Sequence, residues 1–143
     1  MKKKILVVDD KTSVREALGD VLRLEGYDVF LAADGREGIA KFNAEIMDLL
    51  VLDVSLPDIS GWQVFGAVTR INPFLPVVII TGGESHRNLA AWAGSGALIQ
   101  KPLNVPQLLE TVENLLGDSP AAHIQRLAGR GSDRRFDGPA PNR

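Results

Sequence analysis

Val51-Leu52-Asp53-Val54-Ser55-Leu56-Pro57-Asp58-Ile59-Ser60-Gly61 is the stretch on which the fold turns. An apolar run beginning at Leu49 delivers Asp53, and the pattern then breaks at a Pro and a Gly, residues that end strands and open turns. That puts a carboxylate at the carboxyl end of a strand. In a sheet with helices on both faces, the crevice beyond the carboxyl ends of the strands is where ligands are held. A lone acid in that position is usually a turn former or a helix cap, so Asp53 matters only if other groups converge on it.

Three more strand ends supply them. Ile5-Leu6-Val7-Val8 runs into Asp9-Asp10, Val77-Val78-Ile79-Ile80 into Thr81-Gly82, and Leu98-Ile99-Gln100 into Lys101-Pro102. Each apolar run stops on a polar residue, so four strands present three carboxylates, a hydroxyl and an ammonium along one edge.

Between these strands the chain reads as helices. Thr12-Ser13 opens the first, Ser13 and Glu16 stand at capping-box spacing, and Val14, Leu18, Val21 and Leu22 recur with helical period until Gly26. Tyr27 to Leu31 reads as a strand, and a helix begins near Asp34, with Glu37 three residues on and Ile39, Ala40 and Phe42 facing inward. Met47 to Asp53 is the third strand. After Gly61, a stripe of Trp62, Val64, Phe65, Val68 and Ile71 ends before Pro73. A weaker helix is expected over Glu84 to Trp92. A strand at Ala97 to Gln100 follows, then a helix from Val105 to Leu116 with Asn104 as its cap.

Five strand-then-helix units argue for an open, parallel, five-stranded α/β sheet with helices on both faces, since each parallel pair needs a right-handed crossover. A barrel needs about eight such units. Residues 1–117 form one domain. Beyond them Gly, Pro, Ser and Arg dominate, and residues 118–143 read as a disordered tail or linker, with a short helical turn allowed at Ala122 to Leu127.

The chain of 143 residues is 45% hydrophobic and 24% charged, ordinary for a soluble globular protein. No apolar run approaches the roughly 20 residues that span a bilayer, so no membrane association is expected. The absence of cysteine excludes disulfides and thiolate chemistry and fits a cytoplasmic location. The net charge of -2 divides unevenly: residues 1–117 carry 11 basic and 15 acidic residues (net -4), and residues 118–143 carry 5 and 3 (net +2). Direct nucleic-acid binding is therefore not expected of the folded part, and the five Arg of the tail, interrupted by three acids, read as solvated.

Asp9, Asp10 and Asp53 brought together are costly unless a cation neutralises them. Oxygen ligands alone favour Mg2+. His86 and His123 fall in a helix and in the tail, and no chemistry is assigned to them. Lys101 and Thr81 suit the oxygens of a phosphoryl group, and a carboxylate can accept such a group covalently, with Asp53 attacking in line.

The motifs Leu6-Val7-Val8-Asp9-Asp10, Leu52 through Gly61, Ile80-Thr81-Gly82 and Lys101-Pro102 together resemble the receiver domain of bacterial two-component response regulators, of the single-domain chemotaxis-regulator kind, over about residues 3–117. The resemblance implies a flavodoxin-like (βα)5 receiver fold in which Asp53 accepts phosphate from a sensor histidine kinase or a phosphotransfer protein. It further implies that Asp10, Asp53 and the backbone carbonyl of Ser55 bind Mg2+, with Asp9 acting through a water. Lys101 would pair with the phosphoryl group, Thr81 would hydrogen-bond it, and the Lys101–Pro102 peptide would be cis. Such a protein is a phosphoacceptor rather than an enzyme, catalysing only its own phosphotransfer and dephosphorylation.

Two departures from the pattern stand out. Leu98 occupies the place, three residues before the Lys, where the family has Tyr or Phe as a switch. Ser55 and Gly83 are small at the positions that modulate phosphoryl lifetime, from which an unexceptional lifetime is expected.

For output, the tail is too short for a winged helix or a catalytic domain. The first reading is a regulator that signals by binding a downstream protein or by handing phosphate on. The others are a receiver fragment of a longer DNA-binding or enzymatic regulator, or a docking module that is silent to phosphorylation. An aspartyl phosphatase or dehalogenase would carry a second acid where Ser55 stands, and a flavodoxin would carry a Ser-, Thr- and Gly-rich loop where Asp9-Asp10-Lys11 stands. Trp62 reads as partly buried against a neighbouring element, whereas Trp92 reads equally as that or as a partner anchor.

Overall fold

The computed structural model describes residues 2–82 and 96–117. Expectations that fall on Gly83, on the helix over 84–92 with His86 and Trp92, and on residues 118–143 with His123 lie outside the described residues.

Five strands, β1 (Lys4–Val8), β2 (Asp28–Ala32), β3 (Leu49–Asp53), β4 (Val77–Thr81) and β5 (Gly96–Gln100), form one sheet in the order β2-β1-β3-β4-β5. Every pairing is parallel. The described helices are α1 (Thr12–Leu24), α2 (Gly35–Ala44), α3 (Gly61–Ile71) and α4 (Val105–Gly117).

Alternation along each strand decides which helix it meets, because successive side chains point to opposite faces. Ile5, Val7, Val51 and Val78 pack with Leu18 and Leu22 of α1 and Leu108 and Val112 of α4. Leu6, Val8, Leu50, Leu52 and Ile79 pack with Phe42 of α2 and Val64 and Val68 of α3. Both faces of β1 and β3 are thus sealed, which is why those strands read as unbroken apolar runs. At about 1.5–3 kcal/mol for each large apolar side chain withdrawn from water, these two layers are the main stabilising term.

Local signals explain most boundaries, and a few expectations need correction. Gly26, at φ +97°, ends α1 in a conformation that L side chains rarely adopt. The capping box read at Ser13 and Glu16 does not form. Lys11 is the N-cap of α1, which has no side-chain cap, and both Thr12 and Ser13 lie inside the helix. Asp34 does cap α2, accepting from the Glu37 amide at 2.8 Å, and Ser60 with Gln63 forms a full box on α3. Asn104 accepts from the Gln107 amide at 2.9 Å at the start of α4.

Ala40 is exposed rather than inward, because Gly35, Gly38 and Phe42 take the buried face of α2 and a residue two along a helix is turned about 200° away. Ile71 is also exposed, and Leu75 from the following loop joins the core in its stead. The third strand starts at Leu49 rather than Met47, since Asp48 is occupied clasping β1: its carboxylate accepts from the Lys4 amide and its amide donates to the Lys4 carbonyl, both at 2.7 Å. Tyr27 precedes β2, where it packs partly buried on the core. Trp62 is 44% exposed and stacks on Phe65 with ring centroids 5.6 Å apart.

Candidate functional site

Register brings the polar strand ends to one place. Val8 is level with Leu52, Asp53 with Ile80, and Thr81 with Gln100, so Asp9, Asp53, Thr81 and Lys101 stand in a row at the carboxyl edge. The ladder runs one step further in three of the four pairings: Asp9 N–H donates to Ala32 O at 3.1 Å, Val54 N–H to Ile80 O at 3.1 Å, and Lys101 N–H to Thr81 O at 2.8 Å. After β1 the chain turns outward to β2 and then returns to β3 on the other side, and a reversal of this kind opens a crevice in a doubly wound sheet. Asp9, Asp10 and Asp53 lie there.

One carboxylate oxygen from each of these three acids lies within 4.8 Å of the others, and Asp9 and Asp53 are buried, at 2% and 1% exposure. Lys101 Nζ reaches Asp53 Oδ2 at 3.2 Å, while Asp53 Oδ1 accepts from the Ser55 amide at 3.0 Å. Thr81 is buried at the end of β4. The peptide joining Lys101 to Pro102 is cis, as the resemblance implies.

The electrostatics are those of a pocket built to hold positive charge. Burial pushes the Asp9 carboxyl above its ordinary pKa, the Lys11 amide on Oδ1 pulls it back, and the neighbouring Asp53 and Asp10 charges push it up again. Asp10 Oδ1 is buried without a hydrogen-bond partner, a condition that costs about 1–3 kcal/mol when nothing compensates it. An orphaned carboxylate oxygen beside two other carboxylates is the donor set a hard divalent cation requires, and it contains no nitrogen or sulfur.

Two contributors were not legible in the sequence. Arg15, one turn into α1, donates from Nη1 to the Asp9 carbonyl at 2.8 Å and from Nη2 to Thr12 Oγ1 at 3.3 Å, which ties the loop carrying the acids to the helix. Asp58, inside the opening stretch, accepts from the Gly35 and Arg36 amides at 2.9 Å each. Asp58 follows from no local motif, being separated from its partners by 23 and 22 residues. Leu98 sits partly buried on β5, in contact with the α2 and α3 side of the core.

Comparison with known proteins follows the same lines. Residues 5–113 match the model of the response regulator receiver domain family. The transcriptional regulatory protein TrcR of Mycobacterium tuberculosis is 33% identical over 140 residues, covering 94% of this chain but only 54% of that protein. The chain thus spans about half of that relative's length. Among solved structures, a CheY-like receiver domain protein from Methanospirillum hungatei superposes with a TM-score of 0.77 at 31% identity, over 87% of this chain and 98% of the other. The response regulator TrrA of Thermotoga maritima, solved in complex with Mg(2+)-BeF, superposes with a TM-score of 0.72 at 33% identity, over 79% and 98%.

Proposed function

Since the chain belongs to the response regulator receiver domain family, we propose that Asp53 is its phosphoacceptor and that Asp9, Asp10, Thr81, Lys101 and the Ser55 backbone serve the transfer. The observation that carries this reading is the approach of Lys101 Nζ to Asp53 Oδ2, at 3.2 Å, beside two further carboxylates within 4.8 Å.

An Asp53 carboxylate oxygen forms the new O–P bond as the bond from phosphorus to the donor's histidine nitrogen breaks, and that nitrogen keeps the electron pair. Lys101, already directed at Asp53, neutralises charge on the arriving phosphoryl oxygens, and the Thr81 hydroxyl donates to one of them. The Ser55 amide holds the other Asp53 oxygen, which fixes the carboxylate plane for in-line attack. Asp10, Asp53 and the Ser55 carbonyl would hold Mg2+, with Asp9 reaching it through water. The bound ion would supply charge neutralisation for the phosphoryl oxygens.

The donor is a histidine kinase or a phosphotransfer protein, and output passes through contact with another protein. No described helix is long and apolar enough to cross a membrane.

Incubation with acetyl phosphate and Mg2+, followed by intact mass, tests the chemistry. The wild type gains one phosphoryl group, and Asp53→Asn gains none. A gain retained in the variant, or absent from the wild type, overturns the assignment.

A further inference from the structure

Beyond the ladder bond from the Val54 amide to the Ile80 carbonyl, the segment that leaves β3 is fastened at three further points, two of them local. Asp53 Oδ1 holds the Ser55 amide, and the Gly61 amide donates to the Val54 carbonyl at 3.3 Å. The third is Asp58. Its Oδ1 accepts from Gly35 N–H and its Oδ2 from Arg36 N–H, so one carboxylate bridges the loop to the first turn of α2. Those amides are among the donors that a helix cannot satisfy internally, and the bridge therefore serves both partners.

The surfaces beside it are in close contact, since a Cβ placed on Gly35 would fall 2.5 Å from Ile59 Cγ1 and 2.9 Å from Val64 Cγ2. Burial raises the Asp58 carboxyl, but the Arg36, Gly35 and Ile59 amides outweigh it and hold the pKa at about 2, so the group is an anionic acceptor across the working range. Arg36 Nε, at 3.9 Å on a side chain 74% exposed, adds little. The bridge is built from amides.

We propose that Asp58 is a positioning residue for the Asp53 site: by pinning the loop to α2 it fixes the Ser55 backbone, and with it the oxygen set offered to a divalent cation. The inference rests on the function proposed above. Groups that orient metal ligands from behind change affinity by roughly 10–100-fold when removed, whereas a residue that only caps a helix changes stability alone. Asp34 provides the comparison, because its carboxylate caps the same turn of α2 through the Glu37 amide, a bond within the helix start and not to the loop.

Calorimetric titration of the full chain with Mg2+, in the absence of any phosphodonor, separates the two roles. Asp58→Ala is expected to weaken Mg2+ binding roughly tenfold, and Asp58→Asn, which keeps one acceptor oxygen, less. Asp34→Ala lowers the melting temperature but leaves the affinity as in the wild type. Amide exchange at Ser55 quickens in Asp58→Ala and not in Asp34→Ala. Wild-type affinity in Asp58→Ala, or an equal loss in Asp34→Ala, overturns the inference while leaving the function intact. A wild type that binds no Mg2+ overturns both.

Discussion

Lys101 and Asp53, 48 residues apart in the chain, meet at 3.2 Å with unequal exposure: 33% of the Lys101 side chain is accessible and 1% of that of Asp53. The acid is anchored and dry, and the base reaches it from the rim. The Asp53 side chain is thus fixed by its surroundings, while the partly accessible Lys101 is free to follow an incoming group.

Lys101→Met removes that partner. Phosphorylation by acetyl phosphate is expected to slow by roughly 100-fold or more, the scale of losing one preorganised charge stabiliser. Stability falls as well, by about 1–3 kcal/mol, because the buried Asp53 side chain loses a partner and only the Lys101 end of the pair is open to water. Single-turnover labelling and thermal melts measure the two effects separately, and an unchanged labelling rate would remove Lys101 from the transfer.

Asp9→Asn has opposite consequences without and with metal. Burial raises the Asp9 carboxyl, so its folded-state contribution is favourable at low pH and is lost as pH rises through the raised pKa. The neutral amide, whose oxygen can still accept from Lys11, therefore melts a few degrees higher at neutral pH in chelator, a shift that corresponds to about 1 kcal/mol. The wild type gains stability on adding Mg2+, and the variant gains much less. Calorimetric melts with and without Mg2+ check both signs.

Asp58 predicts a pH dependence of its own. Its pKa falls from 3.8 to about 2 on folding, so the stability it confers is fully present above 3.8 and is lost as pH falls toward 2. The melting-temperature gap between wild type and Asp58→Asn should be constant near neutral pH and close across that acid window. A gap that closed at higher pH would show that the amide bridge does not form in solution.

Two glycines of α3 should respond in opposite directions. A Cβ at Gly61 would lie 2.5 Å from Val54 Cα and 3.2 Å from the Asp53 carbonyl, whereas at Gly66 the nearest atom is Arg70 Nη2 at 3.9 Å. Gly61→Ala must displace backbone beside the acceptor and is expected to cost about 1–3 kcal/mol. Gly66→Ala relieves the chain-entropy penalty of a half-buried helical Gly with room for a methyl group and gains about 0.5–1 kcal/mol. Urea melts of the two variants measure both.

The parts of this fold that were legible in sequence share one property: adjacent residues determine them. The apolar runs of β1, β3 and β4 are continuous because both faces are covered, and Asp34 and Asn104 cap helices by bonds that span three residues. Convergence of Asp9, Asp10, Asp53 and Lys101 followed from counting strand ends, since parallel strands of equal length align their carboxyl termini. Arg15 and Asp58 were hidden because the partners that tie them to the site are backbone atoms, the Asp9 carbonyl and the Gly35 and Arg36 amides, which carry no side-chain signature. The box at Ser13 failed for a related reason: the turn that delivers the acids, held by Asp9 Oδ1 on the Lys11 amide at 2.9 Å, puts Thr12 and Ser13 already inside the helix.

Locating the phosphoryl group is the sharpest measurement available. Borohydride reduces an aspartyl phosphate to homoserine, and tandem mass spectrometry of the peptide containing residues 49–61, after treatment with acetyl phosphate and Mg2+, reads which side chain was modified. Homoserine at position 53, lost in chelator and absent without the phosphodonor, is the predicted result. Modification at Asp58, or of Asp9 or Asp10 in the amino-terminal peptide, or no homoserine anywhere, would contradict the assignment of Asp53 as the acceptor.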